Sequence, residues 1–371
     1  MLKRNLLLFI LSGAVLLAPG WTNPIQAQEK SVITAGDIFP KTTLNAPVNP
    51  RDKTYLGIPK KKFFAVKDIQ AEVILVEIMN VYCASCQNMA PVYNKLFARL
   101  EARQEIRKKI KIVAFGVGNN EEEIKIFRDH FQVPFPIVPD PDYDLHKAIG
   151  GGPTPFSILV RRGAKGKSVV VASTHLGFTE KVEELFSELE LLLKTNPEDI
   201  KKKGERTEAR ILTAKPPMTD EEIQAKIKEA FTEEGKALTG FEKVDLRGGR
   251  AIYAGTVKKE GQTGNLFAAV ISQLPTCDLC HDTHFIVTFE PSGKIQQFIP
   301  LQLTKTDNEN WTEADIARMR KKIVGRFIYH PFSFKAKVDA VSSATITSAA
   351  IFRGLNEGQE IFKELKKKGL L

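Results

Sequence analysis

Four cysteines occur in 371 residues, and all fall in two C-x-x-C pairs, Cys83/Cys86 and Cys277/Cys280. Thiols at that spacing open and close a small disulfide ring, hold a soft metal, or staple a loop. Cys83-Ala84-Ser85-Cys86 follows an apolar run, Val73 to Ile78, and opens a helical pattern with Met89, Val92 and Leu96 on one face. Free N–H groups at a helix start favour a thiolate. Cys83 is therefore the expected attacking sulfur, and Cys86, one turn on, the resolving one. Glu77 interrupts the apolar run six residues before Cys83. A buried carboxylate is costly unless it is protonated or serves a purpose, so moving the resolving thiol's proton stands beside a solvent-facing position for Glu77. A copper-holding dithiol is the weakest reading, since Met79 and Met89 are the only other soft side chains close in sequence.

The second pair lies in Cys277-Asp278-Leu279-Cys280-His281. That spacing is also the c-type haem attachment pattern, with thioethers from both cysteines and iron on His281. A second iron ligand would come from His284, Met319 or His330, with Asp282 placed to orient His281. The segment runs directly into a strand pattern, Phe285 to Phe289, so a redox-active or structural disulfide leads, haem comes next, and a metal site stays open. A third stretch, Asp339 to Ser348, is small and hydroxylated and precedes the last helical pattern. Hydroxyls of Ser342, Thr345 and Thr347, with free N–H groups at a helix start, suit a phosphate.

Two patterns position these residues. From Gly36 to Thr195, short β-branched runs alternate with amphipathic stretches: strands over 73–78, 110–117, 156–160 and 168–173, and helices over 89–103, 121–131 and 179–194. Residues 196–218, with Asn196-Pro197, Lys201-Lys202-Lys203-Gly204 and Pro216-Pro217, form a charged linker. The remainder, 219–371, is α+β. It has a leading helix over 220–236 capped by Thr219, strands over 251–257, 266–272, 283–289 and 294–301, and helices over 313–325 and 348–367.

The composition, 43% hydrophobic and 26% charged, excludes disordered, collagen-like and multi-span membrane classes. A net charge of +10 arises from basic residues interleaved with acids, without a basic aromatic face, so nucleic acid is not an expected partner. Residues 1–27 read as a signal peptide: Lys3 and Arg4, an apolar run of 13 residues from Leu6 to Ala18, and an exit at Ala27. The run is shorter than the ~20 residues that cross a bilayer. A periplasmic or otherwise exported product is expected, soluble or held by an uncleaved N-terminal anchor. Outside the cytosol a dithiol needs its own electron source.

Residues 36–194 resemble the thioredoxin superfamily, nearest the exported TlpA/ResA-type disulfide reductases. The resemblance rests on Cys83-Ala84-Ser85-Cys86, Glu77 at the family's buried acidic position, Phe115-Gly116-Val117-Gly118, Phe135 to Asp140, and Thr154-Pro155-Phe156. It implies a cis Pro155 lying against the dithiol, while Tyr82 stands where the family has Trp. Residues 250–365 are similar to the FMN-binding domain of NqrC and RnfG subunits, whose D-x-x-[ST]-G-A-[TS] motif is met by Asp339, Ser342, Ala344 and Thr345, with Ser343 in place of Gly. That resemblance implies FMN, joined to Thr345 by a flavin transferase. It also brings in the Phe289 to Phe298 hairpin and, more weakly, Leu303, Thr304 and Asn310.

The whole reads as an α/β thioredoxin-like domain followed by an α+β FMN-binding domain. The expected activity is thiol–disulfide exchange, electrons passing between FMN, Cys277/Cys280, Cys83/Cys86 and a disulfide-containing protein, in a direction left open. The expected partner is a disulfide-containing protein substrate or a membrane electron-transfer chain. The alternative is a periplasmic flavin or flavin–haem carrier whose first domain only binds a partner.

Overall fold

The computed structural model describes residues 32–163, 168–200, 214–247, 250–305 and 308–371. The expected signal peptide and most of the charged linker lie outside the described residues. A short antiparallel pair, β1 (Leu44–Asn45) and β2 (Phe63–Phe64), flanks helix α1 (Pro50–Leu56). Then come β3 (Val73–Met79), α2 (Ala84–Glu101), β4 (Ile110–Val117), α3 (Glu121–Phe131), β5 (Ile137–Asp140), α4 (Asp144–Ala148), β6 (Phe156–Arg162), β7 (Val169–Leu176) and α5 (Val182–Lys194). The sheet order is β5-β4-β3-β6-β7. β3 is central, parallel to β4 and antiparallel to β6.

All seven β3 residues are buried, as a strand covered on both faces must be. Its alternation divides the core. Val73, Leu75 and Met79 meet Met89, Tyr93 and Leu96 of α2 and Phe186 and Leu189 of α5. Ile74, Val76 and Ile78 face the opposite layer, with Leu56, Phe64 and Leu145. The period-2 rule puts Glu77 on the α2 side. Helix α2 begins at Ala84, five residues before the expected Met89, because Cys83 itself is its N-cap.

The second domain opens with α6 (Asp220–Thr232), which ends four residues short of the expected Lys236. Thr219 caps it as expected, in a reciprocal pair with Glu222. A meander follows, β8 (Ala237–Asp245), β9 (Ala251–Lys259), β10 (Gln262–Gln273), β11 (Thr283–Phe289) and β12 (Ile295–Gln302), paired antiparallel in sequence order. Helix α6 covers one face through Ile223, Ile227 and Phe231. The other face packs on α7 (Glu313–Ile323) and α9 (Thr345–Leu355), with the one-turn α8 (Ala336–Asp339) between them and α10 (Gly358–Lys367) after them.

The single helix expected over 348–367 is therefore two. Gly358 starts the second, where a Cβ would lie 2.5 Å from the Ile328 carbonyl oxygen. Strand β8 was not expected: it is a largely exposed edge strand without a sustained apolar face.

Candidate active site at the domain junction

Cys83 is the N-cap of α2 and is fully buried. As a thiol it donates to the Thr154 carbonyl oxygen at 3.4 Å. The Thr154–Pro155 peptide is cis, so the expected proline geometry is present. The loop before Cys83 is held by two asparagines: Asn80 donates to the Val117 carbonyl at 2.7 Å, and Asn119 accepts from the Val81 N–H at 3.0 Å. Sequence reasoning missed both. Their signal was a polar residue at the C-terminal end of each of two adjacent apolar strands. Tyr82, standing at the Trp position, donates to Glu123 at 2.9 Å.

The electrostatics separate the two thiols. Hydrogen bonds from the Cys277 and Cys86 thiols hold Cys83 well below the ordinary thiol range. Burial, then the neighbouring Cys83 sulfur, pushes Cys86 well above it. Glu77 is 4% exposed, which removes the solvent-facing reading. Burial, with a smaller push from Cys83, raises its carboxyl to about 8. Its charge in turn raises both Cys86 and Tyr93, whose hydroxyl pairs with Ser157.

The second C-x-x-C pair sits against this centre. The Thr154 N–H donates to the Thr276 carbonyl at 3.0 Å, and the Asp278 N–H donates to the Thr154 carbonyl at 3.0 Å. These bonds make a parallel bridge between Thr154 and Cys277. The sulfurs of Cys83 and Cys277 and a carboxylate oxygen of Asp278 all lie within 4.8 Å of one another. Cys277 is 2% exposed; Cys280 is half-buried against the same core, which also takes Ile346 of α9. Its neighbours Cys280 and Cys83 push the Cys277 thiol far up. All four cysteines are unbonded thiols.

This placement does not suit haem. The Cys277 sulfur is enclosed by Cys83 and the Thr154 segment, leaving no face for a porphyrin. His281 is exposed, whereas His284 is fully buried, bonded through Nδ1 to Ser272 at 2.8 Å, with Nε2 3.7 Å from Asp282. Met319 packs inside the second domain's core, and His330 lies against the rings of Phe327 and Tyr329. Asp282 thus faces His284 rather than His281.

The small-residue segment reaches the same junction from the other side. Thr345 begins α9, half-buried, after an exposed Ser342 and a buried Ala344. Ser343 adopts a φ of 57°, the left-handed region that glycine enters more readily than serine. Asp339 accepts from the Lys335 N–H at 2.8 Å and pairs with Lys322 at 3.1 Å. Thr347 is a correction: its hydroxyl donates inward to the Thr304 carbonyl at 2.7 Å, so it is not turned to a phosphate. Thr304 bridges to Asn310 and, with buried Leu303, belongs to the supporting framework. Thr345 lines a cavity of about 860 Å³ between the domains, with Lys335 and Lys337 on its own side and Tyr82, Phe127 and Phe131 on the other. Glu122 and Glu123 line the same cavity and Lys337 is paired with Glu122, so its aromatic walls and Lys335 are the features that suit a phosphorylated planar ligand.

The profile of the AhpC/TSA antioxidant enzyme family matches residues 95–277, just under half of the chain, beginning inside α2 after Cys86. A thiol-disulfide oxidoreductase ResA of Geobacillus thermodenitrificans is 24% identical over 106 residues, 29% of this chain and 58% of that protein. A ResA of Bacillus thuringiensis is 22% identical over 165 residues, 44% and 84% of the two chains. The first domain is thioredoxin-like in fold and similar to disulfide oxidoreductases of the ResA type. The chain spans 58% and 65% of the length of the first two such relatives. Among solved structures, a putative thiol:disulfide interchange protein DsbE from Chlorobium tepidum shares 19% identity. The match covers 43% of this chain and 96% of that one at a TM-score of 0.33. StoA from Bacillus subtilis shares 20% over 32% and 82% of the chains, at 0.26. Among the described residues no helix is long and apolar enough to cross a membrane.

Proposed function

We propose that the chain is an exported thiol–disulfide oxidoreductase in which the thioredoxin-like domain exchanges disulfides through Cys83 and Cys86, and the second domain binds FMN at Thr345. The carrying observation is the division of labour between the thiols: Cys83, at a helix start beside cis Pro155, is the stronger acid, and Cys86, buried near Glu77, the weaker. The Cys83 thiolate attacks a substrate disulfide, forming a mixed disulfide and expelling one substrate thiolate. Glu77 takes the Cys86 proton. The Cys86 thiolate then attacks the Cys83 sulfur, closing Cys83–Cys86 and releasing the second substrate thiolate. The Thr154 N–H and C=O, paired here with Thr276 and Asp278, are what an extended substrate chain would pair with once that segment withdraws.

Bound at the junction, FMN would supply one- and two-electron redox chemistry beside the dithiol. The Thr345 hydroxyl, Ser342 and the Lys335 cation would hold its phosphate, and Tyr82, Phe127 and Phe131 would wall its ring. A flavin transferase is the partner this requires for covalent attachment.

Two measurements test the reading. Reduced full-length protein should reduce insulin disulfides, and Cys83→Ser should lower the rate by at least ~100-fold, the loss of a nucleophile; an unchanged rate refutes it. Protein made with a flavin transferase should gain the mass of one flavin mononucleotide less one water, and Thr345→Val should not; a mass gain in both moves the attachment elsewhere.

A further inference from the structure

The docked position of Cys277 has more in it than proximity. Thr154 presents its N–H and carbonyl along the edge beside Cys83, and both are paired, to Thr276 and Asp278. Thr276-Cys277-Asp278 thus lies in the manner of an added strand, with the sulfur of the middle residue beside the Cys83 sulfur. A segment bound in that way is placed as a substrate disulfide would be. Its second sulfur, Cys280, is three residues on and half-buried, and the Cys280 N–H donates to the Cys277 carbonyl at 3.2 Å. The turn therefore holds the two sulfurs of the pair on one short loop.

We infer that Cys277/Cys280 is the built-in exchange partner of Cys83/Cys86, joined to it through a Cys83–Cys277 mixed disulfide. The inference rests on the exchange chemistry proposed for Cys83. Starting from a Cys277–Cys280 disulfide and a reduced first pair, the Cys83 thiolate attacks the Cys277 sulfur. The Cys83–Cys277 bond forms, the Cys277–Cys280 bond breaks, and Cys280 leaves as a thiolate and takes a proton. Cys86, losing its proton to Glu77, then attacks Cys83; the Cys83–Cys86 bond forms and Cys277 leaves. One electron pair has passed to the second pair, and the reverse order passes it back. Because the Thr154 edge serves the internal partner, an external chain gains it only when the Cys277 segment withdraws.

The test uses full-length Cys86→Ser and Cys86→Ser/Cys280→Ser proteins equilibrated in a glutathione redox buffer, quenched with acid and mapped by mass spectrometry of alkylated peptides. In Cys86→Ser, Cys83 should be joined to Cys277 with Cys280 free. In Cys86→Ser/Cys280→Ser, which lacks both resolving thiols, the same link should accumulate. Cys83 carrying glutathione in Cys86→Ser while Cys277–Cys280 stays closed would overturn the inference. A link to Cys280 would overturn the assignment of Cys277. The Cys277→Ser/Cys280→Ser double variant, assayed on insulin, separates the two readings: its activity shows that exchange at Cys83 stands even where the internal link fails to form.

Discussion

Glu77 is where one side chain sets both a rate and a stability. Burial lifts its carboxyl to about 8, so the base that accepts the Cys86 proton is only partly formed near neutrality. Resolution of the mixed disulfide should therefore quicken as pH rises toward 8, and Glu77→Gln should slow it by ~100-fold and flatten that dependence, measured by quenched-flow trapping. The same group sets a stability trend. Its folded value is raised above the unfolded one, so its contribution is complete below the ordinary carboxylate range and is lost as pH climbs through about 8. Glu77→Gln should gain stability relative to the native chain at pH 8, by about 1–3 kcal/mol after screening and relaxation, in urea unfolding. Cys83, Cys86 and Glu77 were legible in sequence because each breaks an otherwise regular pattern. Thr347 was misread: hydroxyls at a helix start look alike until the fold shows which one meets the Thr304 carbonyl.

At the scale of elements, period and capping carried most of the reading. Strands β4 and β11 and helix α3 have the bounds their patterns implied, and α3 is closed by Asn120 paired with Glu123. What escaped was decided by tertiary contact. The α9–α10 break follows from Gly358 lying on Ile328, which no local signal in 348–367 announces. Gly358→Ala should cost about 1–3 kcal/mol by overpacking, seen as a lowered urea midpoint with an unchanged slope. Strand β8 escaped because an edge strand with one covered face at most carries few apolar residues. The short α1, α4 and β5 were too brief to show a period.

Across the whole molecule, the two five-stranded sheets belong to domains that meet along a junction containing both thiol pairs and Thr345, and Arg353 over the Tyr143 ring extends it. The sequence pointed to two C-x-x-C pairs and two domains; that Cys277 pairs with the Thr154 edge was not legible, because it depends on long-range docking across a charged linker. The exposed Lys337–Glu122 pair also crosses the junction, at 2.6 Å. So exposed a pair contributes little, and screening it with raised ionic strength should leave the junction closed, with Cys277 still protected from alkylation. The central claim is that a disulfide moves inside one chain. Fully reduced full-length protein would receive one equivalent of oxidised glutathione, be quenched with acid at intervals, and have each pair's oxidation read by differential alkylation. The disulfide should spread from Cys83–Cys86 to Cys277–Cys280 at a rate independent of protein concentration. A disulfide that stays on one pair, or moves at a rate proportional to concentration, contradicts the account.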